Sequence, residues 1–235
     1  MLPANESLKL TKPPSVPTRQ HRSRSRLRSR TLAFGGTHAS SEGPALTPQP
    51  HLVTARLRLR PFAPADAAAV QALAGERQIA DTTLTIPHPY PDGAAEAWIA
   101  AHGPAWERGA GVSYAITDGD GALLGAVGLA LTRAHAAAEL GYWIAAPAWG
   151  RGYATEAAAA LCDLAFGSLG THRIEARHLV RNPASGRVMQ KLGMRREGTL
   201  RGAVRKWDRF EDLALYAVLA PEWQVVRPPM VPRVA

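Results

Sequence analysis

The chain has 235 residues, 46% of them hydrophobic and 20% charged, with 28 Lys or Arg against 19 Asp or Glu. That length permits one large domain or two small ones, and a single cysteine, Cys162, excludes an intramolecular disulfide. No apolar run reaches signal-peptide length near the N-terminus or about 18 residues anywhere, which argues against secretion and membrane spanning and makes the cytoplasm the expected compartment.

The basic excess is uneven. Residues 1–50 hold eight Lys or Arg against two acids and few large apolar residues, so they cannot bury a core and read as a disordered tail. They carry +6 of the chain's +9, which leaves the remainder only mildly basic. The run Arg19 to Arg30, RQHRSRSRLRSR, fits weak contact with polyanions, a solvated leader, an organelle transit peptide or a wrongly assigned start. The folded domain is expected over residues 51–223, with a C-terminal tail at 224–235.

Within that domain, ARLRLR (Ala55 to Arg60) alternates apolar and charged residues and predicts a half-buried strand ending at Pro61. A helix begins at Pro64-Ala65-Asp66 and runs out near Gly75. Three prolines make Thr82 to Asp92 a loop, and a single helix is expected from about Gly93 to Arg108. Strand-like runs follow at Val112–Thr117, Leu123–Leu131 and Ala137–Ile144, the first two joined by the turn signal Asp118-Gly119-Asp120-Gly121. The pattern then predicts a helix at Ala154–Phe166, a strand at Arg173–Leu179, a helix at Ala184–Leu192 ended by Gly193, and strands at Arg195–Arg201 and Leu213–Leu219. Mixed strands and helices on short links give an α+β or α/β sheet protein.

The segment ELGYWIAAPAWGRGYATEA, Glu139 to Ala157, carries most of the chemistry. A strand leads to Pro147, a turn with Gly150 and Gly152 follows, and an Ala-rich helix starts at once. Such a turn presents backbone N–H groups at a positive helix end and suits a pyrophosphate, with Arg151 available for a charge-assisted contact. A Rossmann site would need a third glycine where Thr155 stands and an acid at the end of the next strand, whereas Glu175 lies within it. A P-loop would need Gly-Lys-Ser/Thr. The eight His show no metal-ligand spacing. Cys162 reads as a small buried hydrophobe with no paired base, and Glu156, inside the following helix, reads as structural.

These segments resemble the GNAT superfamily of N-acetyltransferases. The family pattern Q/R-x-x-G-x-G/A falls on Trp149, Gly150, Arg151, Gly152, Tyr153 and Ala154, with Trp149 departing from Gln or Arg. WGRGYATEA is similar to the branch containing the ribosomal-protein alanine N-acetyltransferases, as are RLRLRPF at 56–62, IPHPYP at 86–91, ELGYWI at 139–144 and LYAVLAPEW at 215–223. NPASGRVMQKLGM, Asn182 to Met194, resembles a second family motif. The resemblance implies an α+β GNAT fold, a twisted, mixed but mostly antiparallel central sheet with helices on both faces. It implies acetyl-CoA as acetyl donor, no metal, and direct attack by a primary amine, a protein N-terminus or a small molecule, in a ternary complex. Cofactor contacts are expected from Tyr142, Trp143 and Ile144, from Trp149 through Thr155, and from Asn182 and Ser185, with an oxyanion donor N–H near Trp143. The tyrosine that protonates the departing thiolate in many relatives is replaced by Met189, so that role passes to Ser185, to water or to nothing.

An attacking ammonium must first lose a proton, and Glu139, on the same strand face as Trp143, is the candidate base. His88 and Tyr90 are expected to line the acceptor site, flanked by Asp81 to Asp92 and Arg205 to Asp212. The competing reading is a non-catalytic nucleic-acid or ribosome-binding protein on the same scaffold. A monomer or homodimer is expected, without a membrane partner.

Overall fold

The computed structural model describes residues 48–228; the basic run Arg19 to Arg30 and the end of the expected C-terminal tail lie outside them. In chain order the elements are β1 (Leu52–Val53), β2 (Arg58–Arg60), α1 (Ala67–Ala74), α2 (Arg77–Thr82), α3 (Ala94–Ala100), α4 (His102–Glu107), β3 (Gly111–Thr117), β4 (Leu123–Thr132), β5 (Ala137–Ile144), α5 (Tyr153–Ser168), β6 (Arg173–Leu179), α6 (Pro183–Lys191), β7 (Arg195–Lys206), β8 (Arg209–Leu219) and α7 (Ala220–Val226). Residues just before 51 pack onto the sheet, where Gln49 Nε2 donates to the Ser113 carbonyl (2.8 Å) and Tyr114 donates to that of Pro50 (2.8 Å). At the other end α7 buries Trp223, and Arg227 pairs with Asp163 at 2.7 Å.

Several elements differ from expectation: the strand expected from Ala55 is confined to Arg58–Arg60, and β1 and α7 were not foreseen from the sequence. The helix foreseen over 93–108 is divided at Ala101 into α3 and α4. Pro104 lacks the N–H a continuous helix would need there but is compatible with the first turn of a new one. The turn of helix α2 carries no long apolar stripe and was not foreseen. Residues 202–212, expected as a gap between strands, complete a long β7–β8 hairpin; Arg205 pairs with Phe210 and Lys206 with Arg209, with bulges after Arg196 and Leu200. An edge hairpin is held by backbone bonds, so its side-chain pattern need not alternate.

All eight strands form one sheet, ordered β1-β2-β3-β4-β5-β6-β8-β7. Every pairing is antiparallel except β5 with β6. That parallel ladder joins Ala137–Leu140 to Arg173–Ala176 and stops, although β5 continues to Ile144 and β6 to Leu179. The sheet therefore opens at its middle.

The face bearing α5 holds the larger core, in which Tyr114, Ile116, Val127, Leu140 and Ile174 meet the buried alanines 157–160 and Leu161 of the helix. Alanine favours helix and lets its backbone approach the sheet closely. On the other face α1, α2 and α3 bury Val70, Ile79 and Ile99 against Ala126 and Trp143.

Candidate active site

The opening between β5 and β6 is where two cavities meet. One, of about 700 Å³, lies on the α1–α4 face and is floored by small residues of β3, β4 and β5, among them Gly111, Gly128, Ala130 and Gly141. The other, of about 380 Å³, lies toward the start of α5 and the N-terminal half of α6. Thr82, Thr83, Tyr142, Trp143 and Ser185 border both.

Strand alternation sorts β5 between them. Glu139, Gly141 and Trp143 share one face of β5, as expected from their spacing, and line the larger cavity, with Trp143 bordering the smaller as well. The amides can be accounted for as well. Ala145 donates to the Leu124 carbonyl (2.8 Å), and in the register of β4 with β5 the bonded pairs alternate, so Trp143 spends its N–H on Ala126. The amides turned toward the opening are those of Tyr142 and Ile144, one residue either side of the expected donor. Past Leu140 no β6 partner takes them.

Beyond β5, Trp149 anchors the turn by donating Nε1–H to the Ile144 carbonyl (2.6 Å). Gly150 and Gly152 adopt φ of 75° and 81°, which L side chains disfavour, and Gly152 caps α5. Trp149, Gly150, Gly152, Tyr153, Ala154 and Thr155 all line the smaller cavity; the Arg151 side chain does not, and is exposed. The turn is braced from a distant residue: Arg56 donates to the Arg151 carbonyl (3.0 Å) and to Glu156 (2.8 Å) and lies over the Tyr153 ring. Glu156 also accepts from the Thr54 hydroxyl (2.6 Å) and the Arg56 amide (3.0 Å). Burial would raise the Glu156 carboxyl, but these hydrogen bonds and the Arg56 charge outweigh it and hold it below the usual carboxylate range. The expected structural role of Glu156 thus has a form, a strut between the β1–β2 link and the first turn of α5.

Asn182 caps α6 by accepting from the Ser185 amide (3.4 Å), while its Nδ2 donates to the Thr82 carbonyl (3.2 Å). The Ser185 hydroxyl lies 2.9 Å from that of Tyr142. Burial pushes the Tyr142 phenol up to about 12, with the Ser185 hydrogen bond pulling the other way. Met189 is buried among the core side chains.

In the larger cavity Glu139 has Arg177 Nε at 3.9 Å, and Arg177 is bound more closely to Glu175 (2.8 Å). Tyr90 lines this cavity; His88 lines neither, because its Nδ1 meets the Gly75 carbonyl (3.0 Å) and its ring packs edge-on against Trp207. The segment 205–212 lines neither cavity and reaches the site indirectly, through Lys206 Nζ donating to the Ile86 carbonyl (3.2 Å), Trp207 donating to Asp81 (3.0 Å) and Glu211 accepting from Arg181 (2.8 Å), which also binds Asp81. Sequence reasoning missed His102, which lines the cavity against Phe62 and Trp98 with both ring nitrogens buried and unbonded, and which burial holds down at about 4. Thr82 and Thr83 fall within the flanking segment Asp81 to Asp92 that the sequence indicated, but nothing in it singled them out as bordering both cavities. Cys162 is fully buried within α5, and its thiol is pushed up by burial.

A sheet opened beside a single parallel pair, with a glycine turn leading into a helix at the opening, agrees with the Acetyltransferase (GNAT) domain family, which matches residues 56–195. The chain belongs to the GNAT acetyltransferase family. The N-acetyltransferase YnaD of Bacillus subtilis, itself uncharacterised, is 41% identical over 86 residues, which are 36% of this chain and 50% of YnaD. The chain spans about half the length of the curated relatives it matches first. Among solved structures, Mycobacterium smegmatis RimJ in complex with CoA-disulfide is 28% identical with a TM-score of 0.64, covering 71% of this chain and 83% of RimJ. RimL, a ribosomal L7/L12 α-N-protein acetyltransferase in complex with coenzyme A, shares the fold at 19% identity and a TM-score of 0.67, covering 72% of this chain and 96% of RimL. Among the described residues no helix is long and apolar enough to cross a membrane, and no group of His, Cys, Asp and Glu is suited to a metal.

Proposed function

We propose that this protein transfers the acetyl group of acetyl-CoA to a primary amine by direct attack, with both substrates bound together. The observation that carries this reading is the pair of cavities meeting at the opened strands, one on each side of Tyr142, Trp143 and Ser185. The smaller fits acetyl-CoA: the Gly150–Gly152 turn and the start of α5 offer N–H groups to the pyrophosphate, and Asn182 and Ser185 border the path of the pantetheine. The Tyr142 and Ile144 amides are oriented to receive the carbonyl oxygen as it gains negative charge. The acceptor takes the larger cavity, where Glu139 removes the ammonium proton directly or through one water. No acyl-enzyme is needed, and Cys162 is out of reach of either cavity.

The acceptor's charge is constrained by the lining. Among the described residues Glu139 is the one carboxylate there and Arg177 the one guanidinium, so the cavity suits a single ammonium better than a chain of several. A peptide N-terminus meets that condition, in keeping with the likeness to RimJ and RimL. The deciding experiment follows free CoA across a panel of amines. Turnover should be higher with Ala- or Ser-terminated tetrapeptides than with spermidine; the opposite ranking would replace the peptide reading by a polyamine one. No CoA release with any amine, together with polyanion binding, would favour the non-catalytic alternative. For the base, Glu139→Gln should lower kcat/KM about 10²- to 10⁴-fold near neutrality and recover toward pH 9, where free amine is abundant. A pH profile parallel to that of wild type would remove Glu139 from the chemistry.

A further inference from the structure

We propose that Tyr142 is a positioning residue for protonation of the departing thiolate: its hydroxyl orients the Ser185 hydroxyl and replaces the proton that Ser185 gives up. The proposal rests on the acetyl-transfer reading and on the juxtaposition of two hydroxyls at the wall shared by both cavities, 2.9 Å apart.

Tyr142 lies on the β5 face opposite Glu139 and borders both cavities, and its hydroxyl reaches Ser185 in the first turn of α6. Its O–H is within 3.1 Å of the Ser185 carbonyl, which can only accept, and 2.9 Å from Ser185 Oγ, where either group can donate. When Tyr142 donates to Oγ, the Ser185 hydrogen is left to point into the smaller cavity, where the thioester sulfur would lie. The direction of transfer suits the two groups, because burial keeps the phenol protonated across the working pH range, so it starts the reaction holding a proton. The side chain of Met189, buried in the core, offers no competing donor.

The step balances. The amine nitrogen forms a bond to the acetyl carbon, the C–S bond breaks, and its electron pair goes to sulfur. Sulfur takes the Ser185 proton as Ser185 takes the Tyr142 proton. The phenolate is then reprotonated by solvent. The nitrogen loses two protons in all, one before attack and one after, and sulfur gains one, so one proton is released per turnover.

A purely structural tie between β5 and α6 would look the same in the coordinates, but it would behave differently. The test uses the full chain, acetyl-CoA and an Ala-terminated tetrapeptide, with Tyr142→Phe, Ser185→Ala and the double variant. Tyr142→Phe should lower kcat about tenfold while leaving the KM for acetyl-CoA within about twofold. The double variant should be no slower than Ser185→Ala, because the tyrosine acts through the serine. Wild-type kcat in Tyr142→Phe, losses that multiply in the double variant, or a loss confined to KM and melting temperature would each overturn the proposal. If Tyr142→Phe does not fold, 3,5-difluorotyrosine placed at 142 keeps the hydroxyl and lowers its pKa. The high-pH fall of kcat should then move to lower pH, and an unmoved profile would overturn the proposal. Failure of wild type to release CoA with any amine would instead strike the acetyl-transfer reading itself.

Discussion

Gly141 stands on β5 between Glu139 and Trp143, and its backbone is outside the left-handed region that calls for glycine. A Cβ added there would meet nothing within 4 Å, whereas one on Gly128 would lie 2.8 Å from the Val112 carbonyl and one on Gly111 2.9 Å from that of Leu129. Packing therefore requires the second and third glycines but not the first, whose missing side chain leaves room over the strand that lines the larger cavity. Gly141→Ala should fold and gain roughly 0.4–1 kcal/mol, since it restricts only the unfolded chain. Gly141→Leu should fold as well, keep its affinity for acetyl-CoA, and raise the acceptor KM by about tenfold or more through occupied volume. Unchanged acceptor kinetics in Gly141→Leu would mean that the amine does not approach over this strand. At this scale the sequence showed which face Glu139 occupies, because that follows from a period of two. It did not show that Glu139 shares Arg177 with Glu175, or that Ser185 meets Tyr142, because those partners lie on other strands and helices.

The turn into α5 was legible as an element: two glycines, a helix-forming run of alanines and a strand before them leave few alternatives. Its brace was not, since Arg56 reaches the Arg151 carbonyl from 95 positions away. The consequence is a turn held from outside while its residues line the smaller cavity. Gly152→Val places a β-branched residue at φ 81°, at a cost of about 1–2 kcal/mol or more, and brings its Cβ within 3.6 Å of the Arg56 guanidinium. The domain should remain folded, because the turn is peripheral to both cores, and acetyl-CoA affinity should fall by at least about tenfold as the amides turn out of line. Calorimetry on the folded variant checks this, and wild-type affinity would remove the turn from the cofactor site. The β7–β8 hairpin shows the opposite limit. Its backbone pairing is regular near the tip, yet RGAVRKWDRFED carries neither a period of two nor a tight-turn dipeptide, so the sequence gives no sign of it.

Across the whole molecule, a mixed sheet-and-helix protein follows from the order of the elements, and the family resemblance supplied the mostly antiparallel sheet with helices on both faces. The extent of the opening did not follow from local pattern, because it depends on where β5 and β6 stop pairing, and they are separated in sequence by α5. The same holds for the clamp that joins the helical layer to the rest. His102 of α4 packs against Phe62, which follows β2, and Trp98 of α3, at centroid distances of 5.4 and 4.4 Å, with neither ring nitrogen bonded. Protonating it would place a charge among aromatic rings, so burial lowers its folded pKa to about 4 from an unfolded value of 6.5. Below 6.5 the unfolded chain binds a proton that the folded chain refuses, so stability is full above that pH and is lost progressively as pH falls toward 4. One proton limits the slope to about 1.4 kcal/mol per pH unit. The carboxyls held low by their partners, among them Asp66 beside Arg60 and Glu156 beside Thr54 and Arg56, give up their contribution only at lower pH, which leaves pH 6.5 to 4.5 as the diagnostic window. Chemical denaturation across that window should show wild type weakening with acid and His102→Phe holding a flatter line, with the ring stacking kept and the titration removed. Equal slopes in the two proteins would place the acid sensitivity elsewhere and leave His102 as a ring that packs and nothing more.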